Sequence, residues 1–184
     1  MQEKIAIRKK ALINRKKKYF EISSQFFYPL IQLLKKKKKN TTNTLSLYYP
    51  SNYEVNVLSF FQLVKKIKIK TLLPVVKPRN QINFIEWQHR DPLKVNKFGM
   101  LEPCLVNKTL VPDFMLVPLL AFDNNNNRLG YGKGFYDKFL NKFLKNKKII
   151  TIGVAFSFQK YNKLPVSNLD IKLDYILTEK GIKK

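Results

Sequence analysis

The chain has a single cysteine, Cys104, and a single histidine, His89. One thiol cannot form an internal disulfide, and a metal site built from Cys and His is excluded by arithmetic. Neither a GxxxxGK[ST] loop nor a GxGxxG fingerprint occurs, and no helix-turn-helix, zinc-finger or RNP signature is present. No apolar run approaches the roughly 18 residues needed to cross a bilayer, and "MQEKIAIRKKALINRKKK" lacks the apolar centre of a signal peptide. These absences predict a cytoplasmic protein without a membrane partner. Acidic residues are scarce, 12 Asp+Glu against 36 Lys+Arg, for a formal charge of +24. Glycine is scarce too, yet three of the six glycines fall at Gly130, Gly132 and Gly134.

The excess charge would attract polyanions, and a basic nucleic-acid-binding protein is one reading of it. Much of it lies in lysine runs such as "NRKKK" and "KKKKKN", alongside an "NNNN" run. Charge runs are weak motifs, and a solvated basic surface with no specific nucleic-acid partner is the preferred expectation. Of the 184 residues 45% are hydrophobic, with 14 Phe and 9 Tyr, enough for one buried core and for a single domain over 1–184. A monomer is expected, with Cys104 as a lone buried thiol and His89 on the surface.

Apolar residues from Ile5 to Leu34 recur at helical spacings, so residues 2 to about 38 read as helix, kinked or divided by Pro29. "TLSLYYP" reads as a short strand, residues 53–70 as a second helix, and "TLLPVV" and "INFIEWQ" as strands. "FMLVPLLAFD", "IITIGVAFSF" and "LDYILTE" are nearly continuous apolar runs, and "FYDKFLNKFLKN" has a helical pattern. Non-alternating strands separated by helices are covered on both faces, which predicts an α/β fold: a three-layer α/β/α domain with a mostly parallel central sheet. Ligands of such sheets bind beyond the carboxyl ends of the strands, where the glycine cluster falls.

Strand, Gly-x-Gly-x-Gly, helix lets backbone approach phosphates closely. Glycine removes Cβ atoms, and a helix start offers unpaired N–H groups at a positive dipole end. Arg128 and Lys133 add cationic side chains. The alternative is a tight turn whose glycines only relieve sterics. Asp137, three residues beyond the cluster, is suited to hold a Mg²⁺ that bridges phosphate oxygens, or to steady the helix dipole.

"VPLLAFDNNNNRLGYGKGFYDKFL" resembles the signature vPxxaFDxxGxRLGxGxGyYDrxL of the 5-formyltetrahydrofolate cyclo-ligase family, also called 5,10-methenyltetrahydrofolate synthetases. "EKIAIRKKAL" is similar to the family's KxxxR helix, "YYPSNYEVN" to its Y-P-x-x-x-E segment, "LPVV" to a strand, and "NKFGMLEP" to its N-x-f-G-i-x-E-P. "TIGVAFSFQ" and "LPVSNLDIKLDYILTEKGI" are similar to the closing segments. The similarity is collinear over almost the whole chain. Three positions depart from it: Asn126 replaces a turn glycine, Lys138 an arginine, and Leu169 a histidine, while Asp170 is kept.

The resemblance implies conversion of 5-formyltetrahydrofolate to 5,10-methenyltetrahydrofolate, with ATP as co-substrate and Mg²⁺ as cofactor. Lys4, Arg8, Arg128 and Lys133 match catalytic cations. The ATP site would take Lys4, Ile5, Ala6, Ile7 and Arg8 from the first helix and Arg128, Leu129, Gly130, Tyr131, Gly132, Lys133, Gly134, Phe135 and Tyr136 from the loop. Tyr49 and Glu54 match folate-binding residues, together with Tyr131, Gly132, Lys133, Gly134 and Phe135. Asp137 matches a metal ligand, and Asp174 is a candidate for a second. Trp87 and Phe98 are candidates for the pterin pocket, and Glu102 for orienting a site cation. Given Asn126 and Lys138, a degenerate nucleotide-binding domain without turnover is the remaining alternative.

Overall fold

The computed structural model describes residues 2–39, 43–104 and 108–184. The first helix, α1 (Gln2–Lys18), has Glu3 in its first turn and four basic residues in its last, the order a helix dipole favours. The expected long helix ends there. An extended stretch and a 3-10 turn (Ser24–Phe27) precede α2 (Tyr28–Lys37), and Pro29 lies in the first turn of α2, where its missing N–H costs nothing. Pro29 therefore starts a helix instead of kinking one. Strand β1 (Asn43–Ser46) follows, then a 3-10 turn (Val57–Phe60), the short α3 (Phe61–Lys66) and β2 (Ile69–Lys77). The helix expected over 53–70 is thus confined to its centre, and its last two residues are already strand.

The chain continues through β3 (Gln81–Glu86), β4 (Leu93–Val95), β5 (Leu101–Pro103), β6 (Thr109–Leu110) and β7 (Phe114–Pro118). Next come β8 (Ala121–Phe122), β9 (Arg128–Leu129), α4 (Phe135–Phe143), β10 (Ile150–Val154), β11 (Tyr175–Thr178) and β12 (Gly181–Lys183). The apolar run 114–123 divides: β7 joins the main sheet, while β8 turns away to pair with β9.

Among the described residues the main sheet runs β12-β11-β10-β7-β1-β2-β3-β6. The five central strands, β11 to β2, are parallel, and the flanking pairs are antiparallel. Successive residues of β7 point to opposite faces. Phe114 and Leu116 pack with Phe27, Leu30, Leu34 and Val64 of α2, α3 and the preceding turn, whereas Met115 and Val117 pack with Phe139 and Leu140 of α4. The chain is a three-layer α/β/α structure with a mostly parallel sheet, and both faces of the sheet are apolar because both are covered.

No helix among the described residues is long and apolar enough to cross a membrane. Cys104 is half-buried and free, and His89 is exposed.

Gly153 in β10 is required by packing. A Cβ there would lie 2.7 Å from Leu173 and 2.8 Å from both Ile176 and Leu119. We expect Gly153→Ala to lower unfolding free energy by about 1–3 kcal/mol through overpacking, measurable by denaturant titration. An unchanged midpoint would mean that this face of the sheet is looser than its contacts imply.

Candidate active site

The carboxyl ends of β1, β2 and β7 open into a cleft of about 560 Å³. Pro74 of β2 lines it, standing just past the last β1 register pair, Ser46↔Leu72, where no neighbour needs the N–H that proline lacks. The departure of β1 thus leaves β2 unpaired on one side and makes room for the cleft.

The loop after β9 forms one wall. Asp123, at the end of β8, accepts hydrogen bonds from the backbone of Asn125, Asn127 and Leu164 and from the Asn127 side chain. Burial pushes its pKa up, but these donors outweigh burial and leave it below the ordinary value. Asn126 has φ 59, the left-handed conformation that asparagine tolerates when a turn glycine is replaced. Beyond β9, Gly132 and Gly134 also have positive φ, and Gly134 is the residue before α4. A Cβ on Gly132 would lie 3.1 Å from the Arg8 guanidinium, whose Nε donates to the Gly130 carbonyl at 2.9 Å. At Gly132 the turn demands glycine, and the same missing side chain admits a cation of α1.

Lys4 pairs with Asp170, which lines the cleft. Burial raises the Asp170 pKa and the Lys4 and Ser167 hydrogen bonds lower it further than that, for a net downward shift. Arg8 lines the cleft directly. Ile5 and Ala6 are exposed, while Ile7 packs near Ala121, Leu129 and Leu164; none of the three lines the cleft. Lys133 is exposed over the Phe98 ring, 5.5 Å from its centroid.

Arg128 is buried and donates from Nη2 to Asp137 Oδ1 at 2.7 Å. The same oxygen accepts the Ile171 N–H at 3.1 Å, which leaves Oδ2 of Asp137 without a hydrogen-bond partner among the described residues. No group of three His, Cys, Asp or Glu side chains is assembled among the described residues. A Mg²⁺ ion needs no such cage, since one or two carboxylates with phosphate oxygens and waters complete its shell. The free oxygen of Asp137 in a cleft rich in cations fits that donor set.

Asp174 does not share this site. It precedes β11 at the amino ends of the strands, where its carboxylate accepts from the Thr151 N–H at 2.8 Å and hydroxyl at 2.9 Å. It lines a separate depression with Lys145, Lys148 and Lys172.

On the other wall, Glu54 is presented by a turn in which Asn52 and Tyr53 both have positive φ, an unfavourable backbone for a tyrosine. Its Oε2 accepts the Ser51 N–H at 2.9 Å, and its Oε1 accepts the Tyr131 hydroxyl at 2.8 Å. Burial pushes the Glu54 pKa up, opposed first by the charge of Arg15. Tyr49, Phe98, Phe135 and Tyr136 also line the cleft, with Phe98 and Phe135 edge to face.

Two aromatic and acidic candidates lie elsewhere. Trp87 is buried in the core against Phe61, and its indole N–H donates to the Asp91 carbonyl at 3.2 Å. Glu102 accepts from the Val76 N–H and the Asn96 side chain, fastening the β4–β5 hairpin to β2 instead of orienting a cation in the cleft. Arg15 was not anticipated. One more arginine on a lysine-rich helix carries no local signal, yet it is 1% exposed and reaches Leu119 and Tyr131.

A mostly parallel α/β sheet whose carboxyl-end cleft joins a glycine loop, a helix start and several cations has the form of an α/β protein with a cleft suited to anionic ligands. The model of the 5-formyltetrahydrofolate cyclo-ligase family matches residues 1–179, and the chain belongs to that family. It is 33% identical over 139 residues to the 5-formyltetrahydrofolate cyclo-ligase of Haemophilus influenzae, covering 72% of this chain and 74% of that protein. It is 34% identical over 137 residues to the enzyme of that name from Mycoplasma pneumoniae, covering 74% and 73%. The solved 5,10-methenyltetrahydrofolate synthetase of Aquifex aeolicus superposes with a TM-score of 0.74 at 33% identity, covering 98% of this chain and 92% of that one. The synthetase structure from Mycoplasma pneumoniae gives 0.72 at 29% identity, covering 95% and 98%.

Proposed function

We propose that this enzyme converts 5-formyltetrahydrofolate and ATP to 5,10-methenyltetrahydrofolate, ADP and phosphate, as a monomer in the cytoplasm. The observation that carries the reading is that one cleft holds both an acceptor for pterin N–H groups, Glu54, and a phosphate-type cradle at 128–137 with Arg8 and Arg128.

The formyl oxygen is a poor leaving group. It attacks the γ-phosphorus as the bond to the ADP oxygen breaks, giving an iminium phosphate. N10 then adds to the activated carbon, loses its proton, and phosphate departs with the C–O bond. No nucleophilic side chain is needed, so catalysis lies in positioning and charge neutralisation. Arg8, Lys4 and Lys133 bring positive charge to the phosphates, and the N–H groups at the start of α4 add the helix dipole. Arg128 holds Asp137 in place and faces the same oxygens. Asp137 is the residue that would hold Mg²⁺, which when bound offsets charge on the transferring phosphoryl group. Asp174, at the other end of the sheet, has no part in this reading. Glu54 accepts from the pterin ring, and Phe98, Phe135 and Tyr49 enclose it.

The test is to mix purified protein with Mg-ATP and 5-formyltetrahydrofolate and follow methenyl absorbance and ADP together. Equal formation of both is expected. No methenyl product above the enzyme-free control would refute turnover and leave a nucleotide-binding domain without chemistry.

A further inference from the structure

Arg15 leaves the polar face of α1 and ends inside the protein, where among the described residues no carboxylate pairs with it directly. Its Nη1 donates to the Leu119 carbonyl at 3.1 Å, its Nη2 donates to the Tyr131 hydroxyl, and its Nε has no partner. A buried cation so incompletely paired is expensive, and a leucine would fill the space at lower cost to folding. Its compensation comes at one remove. The Tyr131 hydroxyl accepts from Arg15 and passes its own proton toward Glu54 Oε1, while the Tyr131 ring lies 5.6 Å from the guanidinium carbon. Three separate elements, α1, the glycine loop and the turn before Glu54, are tied by this chain of two hydrogen bonds.

We propose that Arg15 is a positioning residue for the folate side of the cleft: acting through the Tyr131 hydroxyl, it fixes Glu54 as an oriented acceptor. The inference rests on the folate reading of the cleft given above. Glu54 is buried, which drives its pKa upward, and the attraction of Arg15 is the largest influence in the other direction, ahead of the Ser51 and Tyr131 hydrogen bonds. The other titratable groups that face Glu54 are Tyr48, Tyr131 and Tyr136, all with pKa values raised first by burial and then by the Glu54 charge. These tyrosines stay neutral at working pH, so Arg15 supplies the compensating positive charge.

Tyr131→Phe removes only the linking hydroxyl. We expect KM for 5-formyltetrahydrofolate to rise about tenfold while KM for ATP changes less than about threefold. Arg15→Met should raise the folate KM at least as much and move the acid limb of kcat/KM for the folate to higher pH by about one unit. Arg15→Lys, which keeps charge without the fork, should restore the limb but not the KM. The double variant Arg15→Met/Tyr131→Phe should cost less than the sum of the two single changes. Equal rises in both KM values with an unmoved acid limb would overturn the proposal.

A ligand-free measurement separates this idea from the folate reading itself. A carboxyl whose folded pKa lies above its unfolded value binds more protons when folded, so its contribution to stability falls as pH rises between the two values. Removing Arg15 raises the folded pKa of Glu54 further. The melting temperature of Arg15→Met should therefore fall increasingly below wild type as pH rises above the ordinary glutamate range, and Glu54→Gln should abolish that pH dependence. A stability loss that is the same at every pH and unaffected by Glu54→Gln would sink the proposal. Absence of methenyl product from the wild type would instead refute the folate reading.

Discussion

Asp137→Asn should reduce kcat/KM about a hundredfold or more, a loss of roughly 3 kcal/mol of transition-state stabilisation, while the protein stays folded. The change conserves volume and keeps an oxygen for Arg128 and for the Ile171 N–H, but it removes the negative charge that a hard cation needs. The same charge neutralises Arg128, whose side chain is 5% exposed. Weakening that pair should cost about 1–2 kcal/mol of stability, reduced from the full cost of an orphaned buried charge because Asn still accepts and because Asp137 is partly exposed. The two effects separate on one variant. Thermal melting reports the ion pair, and turnover across a Mg²⁺ titration reports the catalytic role. Near-wild-type turnover at every Mg²⁺ concentration would remove Asp137 from the site.

Gly132→Val carries the second large effect. Because a glycine without a Cβ lets phosphate approach the backbone, nucleotide affinity is the main loss that the sequence leads one to expect. The structure adds a folding cost, because φ at Gly132 is +96° and a β-branched residue is strained there whatever the space around it. It also identifies the group displaced, since the new Cβ would stand 3.1 Å from the Arg8 guanidinium. We expect ATP affinity to fall at least tenfold, with a stability loss of about 1–3 kcal/mol. Gly134→Ala is the control. Its φ is +69° and a Cβ there meets nothing within 4 Å, so it should show backbone strain with little loss of affinity. Combining Gly132→Val with Arg8→Ala should weaken ATP binding little beyond either change alone, as both displace one cation. Equal loss of affinity in Gly132→Val and Gly134→Ala would favour a loop whose glycines serve only the turn.

How far such features can be read from sequence depends on whether their cause is local. The left-handed Asn126, the helix after Gly134 and the buried strands follow from conformational preference and from runs of apolar residues, and the layered α/β arrangement follows from those. The break over 19–27 and the early onset of β2 do not, because tertiary contact decides them. Phe26 and Phe27 are held in a 3-10 turn and packed into the core beneath the sheet, and Ile69 is claimed by pairing with Asn43. Trp87 and Glu102 illustrate the same limit within the site. Each stands near residues of the cleft in sequence, but strand alternation sends Trp87 into the core and the β4–β5 hairpin turns Glu102 onto the Val76 amide. Asp174 is, like Asp137, an aspartate in a segment similar to the family, yet it stands at the amino ends of the strands, bound to Thr151. Arg15 could be recognised only once α1 had been docked.

That docking has a consequence for motion. Only Ala11 and Arg15 of α1 are buried, so little apolar surface holds the helix down. Its ties to Asp170, Gly130, Tyr131 and Leu119 close loops of 166, 122, 116 and 104 residues. Contacts that are polar and distant in sequence return less free energy for the chain entropy they consume, and segments held this way open ahead of the rest. In hydrogen exchange, the amides of α1 should therefore exchange well before those of β7 and β10. A nucleotide that bridges Arg8 and the glycine loop should slow them selectively, since it binds only the docked form. Measured affinity would then contain the docking equilibrium of α1, and a substitution on the far face of that helix could change nucleotide binding without touching the nucleotide.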